Sequence, residues 1–288
     1  YFCNEIVKKK KDILLKTGKS LNILCVSAKN KNKNRPFKFK KKQWIHQPLK
    51  ITNNPLVDIV VELVGGPDGL AKKIVISALK NKKHVITANK SLMAKHGNFL
   101  SYLAEKNNVN LEYEASVAAG IPIIRSIKEG LISNKISKLV GILNGTSNYI
   151  LSRMEQTGKT FNEILKEAKK YGYAESNPKS DLNGDDVASK IKILSSLCFK
   201  TLISDNNILI NGIDKIEIKD IINAKNLGYR IKLLGITEIK NKRIFERVHP
   251  CLVDVNSYIG NIDGIFNAAI INSTPIGQSI MQGEGAGP

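Results

Sequence analysis

Acidic side chains, cysteine, histidine and long apolar runs are all scarce in this chain, and each scarcity removes a class of function. With 25 Asp and Glu against 45 Lys and Arg, the 288 residues carry a formal charge of +20. Such a balance suits a polyanion binder, because clustered cations attract phosphate and release its counterions. Dense basic runs occur only at 8–11 and 38–42, while the other lysines are scattered among Asn and Ile along amphipathic segments. Nucleic acid is therefore not expected as a partner. Cys3, Cys25, Cys198 and Cys251 lie far apart with no metal-ligand spacing, which excludes a disulfide framework or zinc site and fits a reducing cytoplasm. His46, His84, His96 and His249 show no motif spacing and receive no role. No apolar run reaches the roughly 18 residues of a bilayer span, and no secretory signal pattern opens the chain, so no membrane partner is expected. A glycine-rich phosphate turn at a strand-to-helix junction is missing too. The chain opens at Tyr1 without Met and stops at Pro288 in a glycine-rich run, and it reads as an internal portion of a longer protein.

What remains is patterned. Up to residue 121, short β-rich runs at 22–27, 57–64, 84–88 and 109–115 alternate with helix-like stretches at 4–17, 70–81 and 96–107. This alternation is that of βαβ units on a parallel sheet, hence an α/β fold. After Gly120-Ile121-Pro122 the pattern changes: a strand at 136–143, helices at 146–154, 161–171 and 185–198, and then strand-like segments such as 243–253. The domains are accordingly expected at 1–121 and 122–277, with 278–288 returning to the first.

Chemistry is concentrated in a few places. Ser27-Ala28-Lys29-Asn30-Lys31 follows the first strand candidate without an acid. An acid there would hold the ribose hydroxyls of NAD, so Lys29 favours the 2′-phosphate of NADP, unless the loop is simply solvated. Val61-Glu62-Leu63-Val64-Gly65-Gly66 and Thr87-Ala88-Asn89-Lys90 stand at C-terminal ends of strands, where open α/β sheets receive ligands. Lys90 there is either a ligand contact or a first-turn surface lysine. On the helix at 185–198 the apolar stripe Val187, Ile191, Leu194 and Cys198 sets Lys190 at the core-facing edge, about 60° from Val187 at the helical 100° per residue. A lysine there must be paired, reach solvent or serve chemistry. Asp186, four residues earlier, offers an ordinary helix pair. Tyr173, Glu175 and Asp181 upstream gather further acids near the same lysine, a set that could bind an ammonium while the lysine handles a proton. Asn144-Gly145-Thr146 reads either as a carboxylate-binding helix start or as a plain capped turn.

These motifs, with Asp58 to Gly66, Glu114-Ala115-Ser116-Val117-Ala118-Ala119-Gly120-Ile121-Pro122 and Gly141-Ile142-Leu143-Asn144-Gly145-Thr146-Ser147-Asn148-Tyr149, resemble those of homoserine dehydrogenases, in the family's order and along nearly the whole chain. The resemblance implies a Rossmann-type cofactor domain and a mixed α/β substrate-binding and dimerisation domain, with the chemistry at their interface. It also implies NAD(P)-dependent interconversion of L-aspartate 4-semialdehyde and L-homoserine, a step toward threonine, methionine and isoleucine, by a cytoplasmic homodimer or homotetramer. By matched position, Lys190 is the catalytic lysine and Asp186 its partner, while Glu175, Gly145, Thr146, Tyr173 and Asp181 bind substrate. Lys90 matches a cofactor-contacting lysine, and Gly285 and Gly287 lie in the segment passing beside the cofactor. Glu114, Val117, Ala119 and Ile121 match a sodium site, in which hard oxygen donors suit the ion. Asn177-Pro178 departs from the Asp-Pro common in the family, leaving the local hydrogen bonding open.

Overall fold

The computed structural model describes residues 1–31, 33–203 and 208–285. The chain divides into two compact units, one of Tyr1–Thr87 with Phe99–Glu112, the other of Ala88–Asn98 with the described residues from Tyr113 onward.

In the first unit, helices α1 (Phe2–Lys8), α2 (Lys10–Thr17) and α3 (Leu49–Thr52) accompany a parallel sheet of β1 (Ile59–Glu62), β2 (His84–Thr87) and β3 (Leu111–Glu112), in that order. Helix α4 (Leu70–Lys80) crosses from β1 to β2, and its Ala71, Ile74, Val75, Ala78 and Leu79 are buried. That spacing is one face of a 3.6-residue repeat, so burying the stripe fixes the helix on the sheet. The strands are shorter than the sequence suggests. The run at 22–27, expected as a strand, forms only a single parallel bridge from Val26 to Trp44. Strand conformation needs backbone partners for successive N–H and C=O groups, and here only Val26 has them, the Ile23 carbonyl accepting instead from the Gln43 side chain at 2.6 Å. Helix α5 (Lys90–Lys106) starts six residues before the expected position because Asn89 accepts the Leu92 N–H at 3.0 Å and begins the helix.

The second unit is built on a six-stranded sheet in the order β5-β7-β6-β4-β8-β9. The strands are β4 (Lys135–Ile142), β5 (Leu209–Ile210), β6 (Tyr229–Lys240), β7 (Arg243–Asp254), β8 (Phe266–Thr274) and β9 (Gly277–Glu284), antiparallel except for the β5–β7 pair. The helices are α6 (Ile123–Arg125), α7 (Gly145–Thr157), α8 (Phe161–Lys170), α9 (Lys179–Leu182), α10 (Asp185–Phe199) and α11 (Ile218–Asn226). Gly235, Gly141 and Ala269 form a row across β6, β4 and β8. A Cβ at Gly235 would lie 2.5 Å from Ile191 and 2.8 Å from Val187, so this face carries α10, and small residues let the helix sit close. On the opposite face Ile142, Leu234, Ile236, Val253 and Ala268 pack with Ile259 and Ile262, flanked by the half-buried Val140, Cys251 and Ile270.

The compact units meet at Glu112 and Tyr113, and Ala88–Asn98 groups with the second. Residues Gly277–Glu284 form β9, which pairs with β8 from Phe266↔Glu284 to Ser273↔Gly277. An edge strand exposes one side of its backbone and one face, so its sequence lacks the continuous apolar signal of a buried strand.

The close seat of α10 makes a test. Gly235→Ala should lower stability by about 1–3 kcal/mol through overpacking against Ile191 and Val187. An unchanged denaturant midpoint would show that the helix can lift without cost.

Candidate active site

The centre of the second unit's chemistry is Asp186, in the first turn of α10 and only 3% exposed. Gly184 enters the helix at φ +90°, a conformation open to glycine, and this turns the next residues inward. Asp186 Oδ2 accepts hydrogen bonds from Lys190 Nζ at 2.8 Å and Asn144 Nδ2 at 2.9 Å, and Oδ1 pairs with the Lys90 ammonium. Lys190 is 9% exposed and its Nζ also donates to the Leu143 carbonyl. The helix pair read from spacing is therefore real, and it is buried.

Asn144 is the hinge of the arrangement. It is the N-cap of α7, with Oδ1 accepting the Ser147 N–H at 2.8 Å. Its Nδ2 bridges Asp186 to Asp181 Oδ1, the latter at 2.9 Å. Ser147 Oγ donates to the Asp181 carbonyl at 2.6 Å. A Cβ at Gly145 would stand 2.8 Å from the Ile265 carbonyl, so only glycine lets the α7 start approach the chain entering β8.

Electrostatics separates the two acids. Burial pushes Asp186 up, but Lys190 and Lys90, with the Asn144 amide, outweigh it and hold the group at about 2. Burial also pushes Asp181 up, and the Asp186 charge adds to that rise against the opposing Asn144 amide, Lys90 and Lys190. One carboxylate is thus committed as an anion and its neighbour is more ready to take a proton.

The end of α8 delivers the next group. Gly172 takes φ +77°, and the N–H groups of Gly172 and Tyr173 return to the carbonyls of Lys169 and Ala168. This glycine-terminated helix end turns Tyr173 toward α7, where its carbonyl accepts the Thr146 hydroxyl at 2.6 Å and its ring meets Tyr149 at 4.8 Å. Burial, with a hydrogen bond to Glu167, pushes Tyr149 up to about 12.

Of the residues singled out in the sequence, Lys190, Asp186, Asp181 and Lys90 meet in one network, and Thr146 and Tyr173 meet in a second contact at the α7 start. Glu175 is exposed and forms no hydrogen bond or ion pair among the described residues. Lys29 is exposed in the first unit, Gly285 lies against the Asn267 side chain, and Gly287 lies outside the described residues. Glu114 accepts the N–H groups of Ile124 and Arg125 at 2.8 Å each, which starts α6. Ala118 and Ala119 follow at φ +53° and +48°. Among the described residues there is no group of three or more His, Cys, Asp or Glu suited to a metal, and no helix is long and apolar enough to cross a membrane. Sequence reasoning missed the Asn144 side chain and the Leu143 carbonyl. An Asn directly ahead of Gly-Thr-Ser is a capping signal, but the second bond of its amide is made by tertiary packing.

Comparison with known proteins gives two family matches: residues 3–114 to "Homoserine dehydrogenase, NAD binding domain" and 122–288 to "Homoserine dehydrogenase". A homoserine dehydrogenase of Neisseria gonorrhoeae is 46% identical over 85% of this chain and 56% of its own length. One from Bacillus subtilis is 37% identical over 98% of this chain and 65% of its own. The solved homoserine dehydrogenase of Thiobacillus denitrificans superposes with a TM-score of 0.93 at 37% identity, covering 99% of this chain and 66% of that one. That of S. aureus gives 0.86 at 36% identity, over 99% and 68%. The chain spans a little over half to two thirds of the curated relatives it matches.

Asp186 also predicts an acid limb. Its folded value near 2 lies below the ordinary 3.8, so the ionised group contributes about 2 kcal/mol above pH 4, lost as the pH falls toward 2. Asp186→Asn should flatten stability against pH between 5 and 2, measured by urea unfolding. Identical acid limbs in the two proteins would contradict the charge network.

Proposed function

Because the chain belongs to the homoserine dehydrogenase family, we propose that it carries the substrate half and part of the cofactor half of an enzyme interconverting L-aspartate 4-semialdehyde and L-homoserine. The observation that carries this reading is a buried lysine held by a buried carboxylate and a main-chain carbonyl, beside a second carboxylate that burial keeps ready for a proton.

A bound nicotinamide cofactor supplies the hydride. Lys190 supplies the proton at the carbonyl oxygen: its ammonium, aimed by Asp186 and Leu143, meets the developing alkoxide and donates to it, and in reverse the neutral amine takes the hydroxyl proton. Asp186 cannot itself be the donor, since its charge is fixed by two lysines. The amino-acid end of the substrate goes to the acids and the helix start. Glu175, exposed and unpaired among the described residues, takes the ammonium with Asp181. Gly145, Thr146 and Tyr173 hold the carboxylate at the positive end of α7.

NADP is the cofactor this reading favours. Lys29 stands exposed in a stretch with no Asp or Glu between Asp12 and Asp58, which suits a 2′-phosphate better than bare ribose hydroxyls. By matched position the family motifs also assign Lys90, Gly285 and Gly287 to the cofactor. The residues around Glu114 also fit a sodium ion. The carbonyls of Val117 and Ala119 accept no hydrogen bond among the described residues, and Val117 is fully buried, where an acceptor requires a partner. Ile121, whose carbonyl also accepts the Ile123 N–H, would add a third oxygen, and Glu114 the charge through the second lone pairs of a carboxylate that also caps α6. The second unit's open sheet face, with the half-buried Val140, Cys251 and Ile270 beside a cavity of about 410 Å³, is the surface we assign to a second copy. Sedimentation at the mass of a dimer or tetramer checks it. Four free cysteines favour a cytoplasmic enzyme of threonine, methionine and isoleucine synthesis.

The roles separate kinetically. Lys190→Met in the full protein should lower kcat by about 10²–10⁴-fold with the fold retained, whereas Glu175→Gln should chiefly raise KM for homoserine. Wild-type kcat in the first variant, or an unchanged KM in the second, would remove that residue from the account.

A further inference from the structure

Glu62 stands at the end of β1 in the first unit and is 1% exposed. Its Oε1 accepts the N–H groups of Val64 at 2.6 Å and Gly65 at 3.1 Å, and its Oε2 accepts the Thr87 hydroxyl at 2.6 Å. All three donors are neutral, and among the described residues no cation pairs with it. In a protein with 45 Lys and Arg against 25 Asp and Glu, a buried anion left without a counter-charge is unexpected. Three hydrogen bonds can hold a carboxylate in the interior, but they do not neutralise it.

What Glu62 holds is open to a ligand. Leu63 and Val64 are exposed apolar side chains, and Gly65 and Gly66 follow at φ +84° and +80°, with nothing within 4 Å of where a Cβ would be. The loop leaves the C-terminal end of a parallel strand, the edge at which open α/β sheets receive their ligands. Its tie to β2 ends on Thr87, three residues ahead of Lys90 in sequence. A nicotinamide ring is cationic when oxidised and neutral when reduced. An unneutralised carboxylate at this edge therefore distinguishes the two forms by charge.

We infer that Glu62 is a selectivity residue of the cofactor site: its carboxylate favours the oxidised, cationic nicotinamide over the reduced form, while its hydrogen bonds fix the 63–66 loop that receives it. The inference rests on the nicotinamide-dependent function proposed above. A site that prefers the cationic ring makes the bound reduced cofactor the stronger hydride donor, which is the direction that reduction of an aldehyde requires.

Equilibrium titration of the full-length protein with NADP⁺ and with NADPH tests it, in wild type, Glu62→Gln and Glu62→Asp. Gln can keep every hydrogen bond, its oxygen accepting from Val64 and Gly65 and its amide donating to the Thr87 oxygen, but it has no charge. The ratio of the Kd for NADP⁺ to that for NADPH should rise about three- to tenfold in Glu62→Gln. It should stay near wild type in Glu62→Asp, whose shorter reach weakens both forms together. A purely structural role moves both affinities alike in both variants. An unchanged ratio in Glu62→Gln, or an Asp variant whose ratio rises with it, overturns the inference. A wild-type protein that binds neither form overturns the functional reading beneath it, an outcome distinct from an unchanged ratio in a protein that binds both.

Discussion

The second unit's site depends on one buried carboxylate shared by two lysines. Asp186 lies in the first turn of α10, where the helix dipole favours a negative charge, and it faces Lys190 from its own helix and Lys90 from the start of α5. Removing either kind of partner leaves a charge stranded in a low-dielectric setting, and this is why the group stays ionised well into acid. Around it the other contacts follow in order. Asn144 must cap α7 and reach Asp186 at once, so the β4–α7 turn has a single acceptable position. Gly145 and Gly235 then allow the chain entering β8 and the sheet face to approach as closely as that position demands.

The same carboxylate fixes where the Lys190 ammonium stands. Lys190 is held by two acceptors, Asp186 and the Leu143 carbonyl, and neither leaves the ammonium free to drift toward solvent. Asp181, joined through Asn144, is the counterpart whose burial raises it rather than lowers it. Two acids tied to one amide are driven in opposite directions by what surrounds them, which is a common way of dividing fixed charge from mobile proton.

Much of this was readable in the sequence where a period governs it. The stripe on α10 located Lys190 and its partner Asp186, and the stripe on α4 fixed the crossover helix, because core burial imposes 3.6-residue spacing on both. Contacts set by long-range pairing were not readable. Lys90 meets Asp186 across 96 positions, and nothing local to Lys90 distinguishes it from a surface lysine. The run at 22–27 has strand composition but finds only one bridge, since strand formation depends on a neighbour that composition does not specify. Strand β9 shows the converse: its residues, Gly277–Glu284, alternate between exposed and half-buried, and only the ladder to β8 makes them a strand. The pairing of Lys190 with Asp186 was legible through helix geometry, while the Asn144 bridge required the fold.

The most direct test of the account is chemical rescue of Lys190→Ala in the full-length protein by small primary amines. An amine that occupies the vacated space beside Asp186 and Leu143 should restore homoserine oxidation in a saturable way, with rates that rise with amine basicity. Absence of rescue by any amine small enough to enter, in a variant that still folds and binds homoserine, would contradict a proton-carrying Lys190.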